Sequence, residues 1–374
     1  NSFADDEVRD QFSPVRTAVT SLSIAPDARA GGMGDVGAAT DPDVHSQYWN
    51  PAKYPFTISR AGFALNYTPW LRKLTTGIAL LNASGYVRLG DYQALSASLR
   101  YFTLGDVTER RDNGQGSALT LNPYEMAVDV SYSRKLSEAF AMAVALRFIR
   151  SDMGASADED MVPDNAFAAD IAGYLEKYVV IGQSEALWSF GFNVSNIGTK
   201  VSYDGGNKNQ FLPTKLSLGT GLLYPLDDYN QIGVYLDLSK YLVPSAPVQT
   251  GSTPEEIEEY NKKYEDYNNM SPITGIFKSF GDSPNGFKGE LEEIMASIGV
   301  EYNYNEQFFV RGGYYYENKY QGNRQYFSVG AGFRMSVFQL DAAYLISTVQ
   351  SNPLDQTLRF SLSFDMDGIR NLFR

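Results

Sequence analysis

Residues 357–366 read Thr-Leu-Arg-Phe-Ser-Leu-Ser-Phe-Asp-Met. Leu358, Phe360, Leu362, Phe364 and Met366 fall on one side of an extended chain. Thr357, Arg359, Ser361, Ser363 and Asp365 fall on the other, because successive side chains of a strand point to opposite faces. Such a ribbon has one apolar and one polar face, and about ten tilted residues match the hydrocarbon thickness of a bilayer. One copy would fit any half-buried strand. Recurrence along the chain is what restricts the fold.

The period of two begins near Ile58. Ala61, Phe63, Leu65 and Tyr67 mark a first strand. Residues 78–88 form a second, whose weak alternation leaves room for a bulge. Leu95, Leu99 and Tyr101 mark a third. Tyr124, Met126, Val128, Val130 and Tyr132 oppose Glu125, Asp129, Ser131 and Ser133. Similar ribbons run through Phe140–Phe148, Phe167–Leu175, Trp188–Val194, Leu216–Leu222 and Ile232–Leu238. They resume at Ile298–Tyr304, Phe308–Tyr314, Phe327–Phe333 and Phe338–Ile346. With the closing ribbon the count is about fourteen, an even number, as bacterial outer-membrane barrels of one chain require.

Connection lengths agree. Short links near 89–91, 135–138, 225–230, 303–306 and 335–337 alternate with long ones near 104–122, 151–163, 198–213 and 242–289. Short turns on one rim and long loops on the other, the long side facing outward, are the mark of an outer-membrane barrel. The connection 178–185 fits least well. The polar faces carry Glu125, Asp129, Arg147, Asp170, Lys215, Asp237, Glu301, Arg311, Arg334, Asp341 and Arg359. An Arg or Lys facing lipid at mid-depth would cost about 2–4 kcal/mol, so these positions predict a polar interior filled by ion pairs. The expected fold is all-β: a transmembrane antiparallel barrel with an N-terminal plug and helical insertions in its extracellular loops.

Composition narrows the chemistry. No apolar run approaches a membrane helix in length. There is no cysteine, which removes disulfides, thiolate metal sites and cysteine nucleophiles. The single histidine, His45, removes two-histidine sites, and with no nucleophile in a recognisable pattern it is expected to pack or hydrogen-bond. A net charge of −13 argues against nucleic-acid binding. No leader is visible at the polar start around Asp5, Asp6 and Glu7, so for an exported protein its leader is expected to have been removed. No enzymatic activity, cofactor or metal site is expected.

Residues 1–57 do not read as membrane strand and are assigned to an N-terminal polar segment and a plug; 58–374 form the barrel, with 242–289 as a long extracellular loop. Gly32, Gly34 and Gly37 match the spacing G-x-G-x-x-G. That fingerprint needs a strand before and a helix after within a βαβ unit. Pro26, Asp27 and Arg29 precede it instead, so a compact glycine turn is expected. Trp49, Asn50 and Pro51 follow in a second turn.

The insertion 242–289 carries two helix signals. Thr253 reads as an N-cap, Pro254 as the first helical residue and Glu256 as the partner of a capping box. Ile257, Tyr260 and Tyr264 then share a face. Ile273, Ile276, Phe277 and Phe280 recur at helical spacing. Their apolar faces either close the barrel mouth or pack together, or they offer a surface for a partner or lipid. Asp158, Glu159 and Asp160, with Asp152 and Asp164 nearby, lack the calcium-loop pattern and read as a solvated acidic loop. Such a loop suits a basic partner or cation-bridged lipopolysaccharide.

Two segments carry a resemblance. Asn50-Pro51-Ala52 before the first strand resembles the motif of FadL-type outer-membrane proteins. The string Asp27-Ala-Arg-Ala-Gly-Gly-Met-Gly-Asp-Val-Gly-Ala-Ala-Thr, with Tyr48-Trp-Asn-Pro-Ala, is similar to the PorV family of the type IX secretion system. The resemblance implies a FadL-like barrel of fourteen strands in the outer membrane of a Bacteroidetes-type bacterium. It also implies a carrier that receives the C-terminal signal domain of cargo at the translocon barrel. The cargo then passes to a surface attachment complex containing a sortase-like protease. It supplies no catalytic residues. The alternative is a channel for hydrophobic solutes, which would need an apolar internal pocket. An enzyme acting on lipopolysaccharide would need a clustered nucleophile and base.

Overall fold

The computed structural model describes residues 16–69, 77–110, 118–153, 162–205, 208–284, 286–319, 321–348 and 357–372. The strands are β1 (Ala61–Pro69), β2 (Ile78–Arg88), β3 (Gln93–Leu104), β4 (Val107–Arg110), β5 (Ala118–Leu121), β6 (Tyr124–Lys135), β7 (Phe140–Asp152) and β8 (Asp164–Ile181). They continue with β9 (Ser184–Gly198), β10 (Lys215–Pro225), β11 (Asn230–Tyr241), β12 (Met295–Tyr304), β13 (Phe308–Tyr316), β14 (Gln325–Met335), β15 (Phe338–Ser347) and β16 (Thr357–Asp365). All except β4 and β5 form one closed antiparallel barrel of fourteen strands. The first and last strands seal it, with Leu65 opposite Leu362 and Phe63 opposite Phe364.

Alternation in sequence becomes alternation across the wall. Val128, Val130 and Tyr132 of β6 project outward, while Asp129, Ser131 and Ser133 are buried inside. Phe360 of β16 is 44% exposed, whereas Arg359 and Ser361 on either side are at 1% and 2%. No water-soluble core covers this outer apolar surface, and a bilayer supplies the missing solvent. Exposed tyrosines mark both rims: Tyr67, Tyr101 and Tyr316 at one, Tyr92, Tyr132, Tyr229 and Tyr304 at the other. Their amphipathic rings suit the two membrane–water interfaces.

Several expectations need correction. β2 keeps an unbroken register with β1 and β3 and carries no bulge. Its pattern is faint because Leu80 points inward while Ala83 and Gly85 point outward. The printed irregularity lies instead between Ala169 and Ile171, where β8 meets β9. The link 178–185 is mostly strand, reduced to a turn at Gly182-Gln183. The loop 104–122 contains the β4–β5 hairpin. Arg334 keeps inward parity but is exposed at the short-turn rim, where it donates to Gln339. Met366 does not end β16; it begins the short helix Met366–Leu372.

Residues 16–57 fold inside the barrel as short elements: a 3₁₀ turn (Thr20–Ser23), α1 (Ala28–Gly31), α2 (Ser46–Trp49) and a second 3₁₀ helix (Pro51–Phe56). Ala28, Met33, Val36, Ala52 and Tyr54 are fully buried.

Candidate functional site

The plug is held by a collar of inward polar groups. Arg29 of α1 makes a two-pronged contact with Glu301 of β12, at 3.0 and 3.1 Å, and a third bond to Asp43 at 2.9 Å. Arg311 of β13 joins the same Glu301 at 2.7 Å and Asp341 of β15 at 2.6 Å. Across the lumen, Arg147 bridges Asp129 at 3.1 Å and Asp170 at 2.8 Å. Arg359 reaches Asp35 of the plug at 2.5 Å, and Tyr326 bonds the same carboxylate. Asp237 accepts from the backbone N–H groups of Gly37 and Ala38, and Glu125 accepts from Ser21. A charge taken from water needs a partner and filled hydrogen-bond valences, and most of these carboxylates have both.

Plug acidities follow from the same contacts. Burial opposes ionisation of Asp43, but the Arg29 guanidinium overrides it and holds the carboxyl down at about 2. Lys53 is almost fully buried and donates to Thr40 Oγ1 at 2.7 Å. Burial pushes its ammonium down to about 8, with Asp43 partly offsetting that.

The glycine string takes its spacing from the wall. Gly34 has φ +65° and lies so close to Tyr314 that a Cβ would stand 2.6 Å from its backbone nitrogen. A Cβ on Gly37 would stand 2.2 Å from the Trp49 ring. Gly32 meets Gly330 in the same way. The Trp49 indole donates to Asp27 at 2.8 Å. Asn50 donates to the carbonyls of Ala38 and Gly173 and accepts from Ala52, joining three backbone segments. Pro51 opens the second 3₁₀ helix. These six residues are plug architecture. His45 is buried, with its backbone N–H bonded to Asp43.

Two interior cavities, of about 20 Å³ each, remain between plug and wall, lined by groups such as Arg100, Asp129, Asn193 and Lys215. Each has room for about one water. A wider polar cavity of about 280 Å³ opens near the short-turn rim between Asp41, Arg334 and Asp365.

The opposite rim carries the long insertion, with α3 (Pro254–Asn269), α4 (Pro272–Lys278) and α5 (Gly286–Glu292). The capping box of α3 forms as expected between Thr253 and Glu256. None of its residues is buried. Ile257 is exposed, and Tyr260, Tyr264 and Tyr267 run as a ladder of rings. Among the described residues its anchoring contacts lie at the helix end: Tyr267 packs on Phe211 and Lys200 donates to Asn268 at 2.8 Å.

In α4 the inward face is Gly275, packed against Pro244 and Phe211, with Ile276 half-buried beside it. Ile273 and Phe277 point away, 64% and 75% exposed, and Phe280, just past the helix end, is 53% exposed with the Lys240 ammonium over its ring. The helix that the sequence reading missed, α5, adds Phe287 and Leu291 at 80% and 54%. Their i, i+4 spacing was the available signal. Polar contacts hold α5 and the link before it: Asp282 accepts from Ser245, and Lys240 pairs with Glu290 and Glu293. Asp158, Glu159 and Asp160 lie outside the described residues. Asp164 accepts from Ser202 at 2.8 Å and ties two loops together.

A further apolar surface lies on the outer wall. A concave groove of about 980 Å³ crosses β13–β16 and β1–β3, lined by Leu65, Leu99, Val310, Leu340 and Phe360.

The model of the family "Type IX secretion system protein PorV" matches residues 7–248. No curated protein matches. Among solved structures, the chain is similar to the toluene transporter TodX of Pseudomonas putida, at 10% identity and TM-score 0.53, covering 95% of this chain and 99% of TodX. A FadL homologue of Pseudomonas aeruginosa aligns at 13% identity and TM-score 0.46, covering 94% and 99%. The TodX likeness establishes a FadL-like barrel fold, and the family match places the protein in the outer membrane, among the proteins of type IX secretion. The chain belongs to the PorV family of type IX secretion system proteins.

Proposed function

We propose that this protein is a non-enzymatic carrier of the type IX system, with its long loops at the cell exterior. It holds the C-terminal signal domain of secreted cargo on the long-loop rim and delivers it to a surface attachment complex containing a sortase-like protease. The observation that carries this reading is the set of exposed apolar side chains Ile273, Phe277, Phe280, Phe287 and Leu291, carried on and beside two successive short helices of the long insertion. Large apolar side chains left exposed together on one loop mark interaction sites, and large aromatics supply most of the binding energy at such sites. The groove on the outer wall suits lateral packing against the translocon barrel.

The small polar interior cavities favour a carrier over a hydrophobic-solute channel through the lumen. The test is a pull-down of a purified cargo C-terminal domain by the intact protein and by a variant lacking residues 254–280. The carrier reading expects capture by the first and loss by the second. Equal capture by both overturns the placement on this loop, and fatty-acid uptake by proteoliposomes favours the channel.

A further inference from the structure

The polar cavity of about 280 Å³ at the short-turn rim contains a carboxylate that the collar does not serve. Asp41 of the plug lines it. Arg29 gives Asp41 only a bond to its backbone carbonyl, at 2.7 Å. The same guanidinium directs its charge to Asp43 and Glu301. Among the described residues the Asp41 carboxylate has no hydrogen bond or ion pair of its own.

No other cation of the wall is placed to compensate it. Arg311 is taken by Glu301 and Asp341. Arg334 stands exposed at the rim and bonds neutral Gln339. Glu306 and Asp365 add two carboxylates near the mouth, the second accepting from the backbone N–H groups of Asp367 and Gly368. The lining as a whole sets five carboxylates against three guanidiniums.

Two near neighbours in the plug show the difference. Asp43, with Arg29 against it, is held down at about 2. Burial pushes Asp41 up to about 6; Arg29 and Lys53 pull it down from a distance, and Glu301 and Asp43 push it further up. A carboxyl raised in this way has lost water without gaining a partner.

The ligand class follows from the rest of the lining. Among the described residues no group of three or more histidine or acidic side chains is placed to hold a metal ion. The apolar part of the wall is Val44, Tyr86, Phe309, Phe338 and Phe364. Phe309 already has the guanidiniums of Arg311 and Arg334 over its ring, at 5.1 and 5.9 Å. Aromatic faces of this kind attract organic cations, and the free carboxylate supplies the counter-charge.

We propose that this cavity is a binding site for an organic cation. An ammonium or guanidinium on an apolar stem enters from the short-turn side, pairs with Asp41 and lays its stem against the aromatic wall. The group belongs to a free small amine or to a Lys or Arg side chain of another protein, and the recognition chemistry is the same for both. Placing that ligand in the periplasm rests on the orientation given under the proposed function; the site itself does not.

The test is isothermal titration of the purified full-length protein in an uncharged detergent. The probes are n-butylguanidinium, its neutral isostere N-butylurea, and a blocked pentapeptide with one central Arg among glycines. Saturable binding of a guanidinium probe is expected, with N-butylurea about tenfold weaker or more. The tighter of the two guanidinium probes identifies the source, small molecule or protein. Asp41→Asn, checked for folding by heat-modifiable mobility, should lose about tenfold or more. Arg334→Gln removes a like charge at the mouth and should bind the cation more tightly. Should Asp41→Asn not fold, Arg334→Gln decides, and unchanged or weaker binding by it overturns the proposal. No saturable binding of either cation, equal binding of N-butylurea, or full binding by Asp41→Asn also overturns it. Cargo capture at the other rim is independent of these changes; if it fails while cation binding stands, the carrier reading falls and this site remains.

Discussion

Glu301 of the barrel wall receives two arginines of different origin, Arg29 from the plug at 3.0 Å and Arg311 from the next strand at 2.7 Å. One carboxylate thus binds the plug to the wall and the wall to itself. Removing one partner of a buried pair leaves the other charge uncompensated, at about 3–5 kcal/mol. Arg29→Ala strands Asp43 and half of Glu301, so it is expected to lower the temperature at which the barrel loses heat-modifiable mobility. Glu301→Gln, which leaves two guanidiniums short of charge, should do so as well. The double variant Arg29→Met/Glu301→Gln should cost less than the sum of the two, because the pair is coupled. Strict additivity on gel-shift melting would contradict this account.

The Gly37–Trp49 contact makes a separate prediction. A Cβ at Gly37 would overlap the Trp49 ring, so Gly37→Ala must move the indole and break its bond to Asp27. Trp49 emission, isolated by comparison with Trp49→Phe, is expected to shift to the red and become accessible to acrylamide. Unchanged emission would mean that the plug accommodates the methyl group without moving the ring.

Lys53 gives the pH dependence. Its ammonium is lowered from 10.5 to about 8 by burial. A lowered lysine means that the folded state binds fewer protons than the unfolded state between those values. Stability therefore rises as pH climbs from about 8 to about 10.5, and the penalty for holding the ammonium is fully present below 8. Its upper limit is about 3 kcal/mol, at 1.36 kcal/mol per pH unit. Lys53→Met should be more stable than the natural protein at pH 7 and lose this rise, as read by thermal melts in detergent at several pH values.

The outer wall is tested by charge. Phe360 and Ser361 are neighbours on opposite faces of β16. Phe360→Arg should cost about 2–4 kcal/mol in lipid if it lies at mid-depth, seen as a lower folded fraction in bilayers of increasing urea. A conservative change on the inner side, Ser361→Thr, should leave that fraction nearly unchanged.

Much of this fold was legible because the bilayer imposes a period of two on every strand that crosses it. Val128, Val130 and Tyr132 could be placed outside and Asp129 inside without coordinates. β2 was harder to read because Leu80 faces inward and Gly85 outward, so its hydrophobicity barely alternates although its register is regular. The connection 178–185 fitted least well because β8 and β9 go on pairing past their neighbours as far as Ile181 and Ser184, and strand that outruns the wall keeps the same residues as strand within it. The plug glycines were visible, but their reason was not: Gly34 answers to the backbone of Tyr314, which lies 280 positions away in sequence. The capping box at Thr253 was readable because it is local. Which face of α4 would turn outward was not, since Gly275 is chosen by contact with Phe211 and Pro244.

The central claim is that the exposed aromatics on the long-loop rim hold cargo. Its most direct test is a titration of a purified cargo C-terminal domain against the protein carrying Phe277→Glu and Phe287→Glu. Both side chains are exposed, so the barrel should fold as before, checked by heat-modifiable mobility. Loss of two large aromatics from the centre of an interface costs at least about 2 kcal/mol, which predicts an affinity reduced thirtyfold or more. An affinity within threefold of the natural protein's would contradict the account.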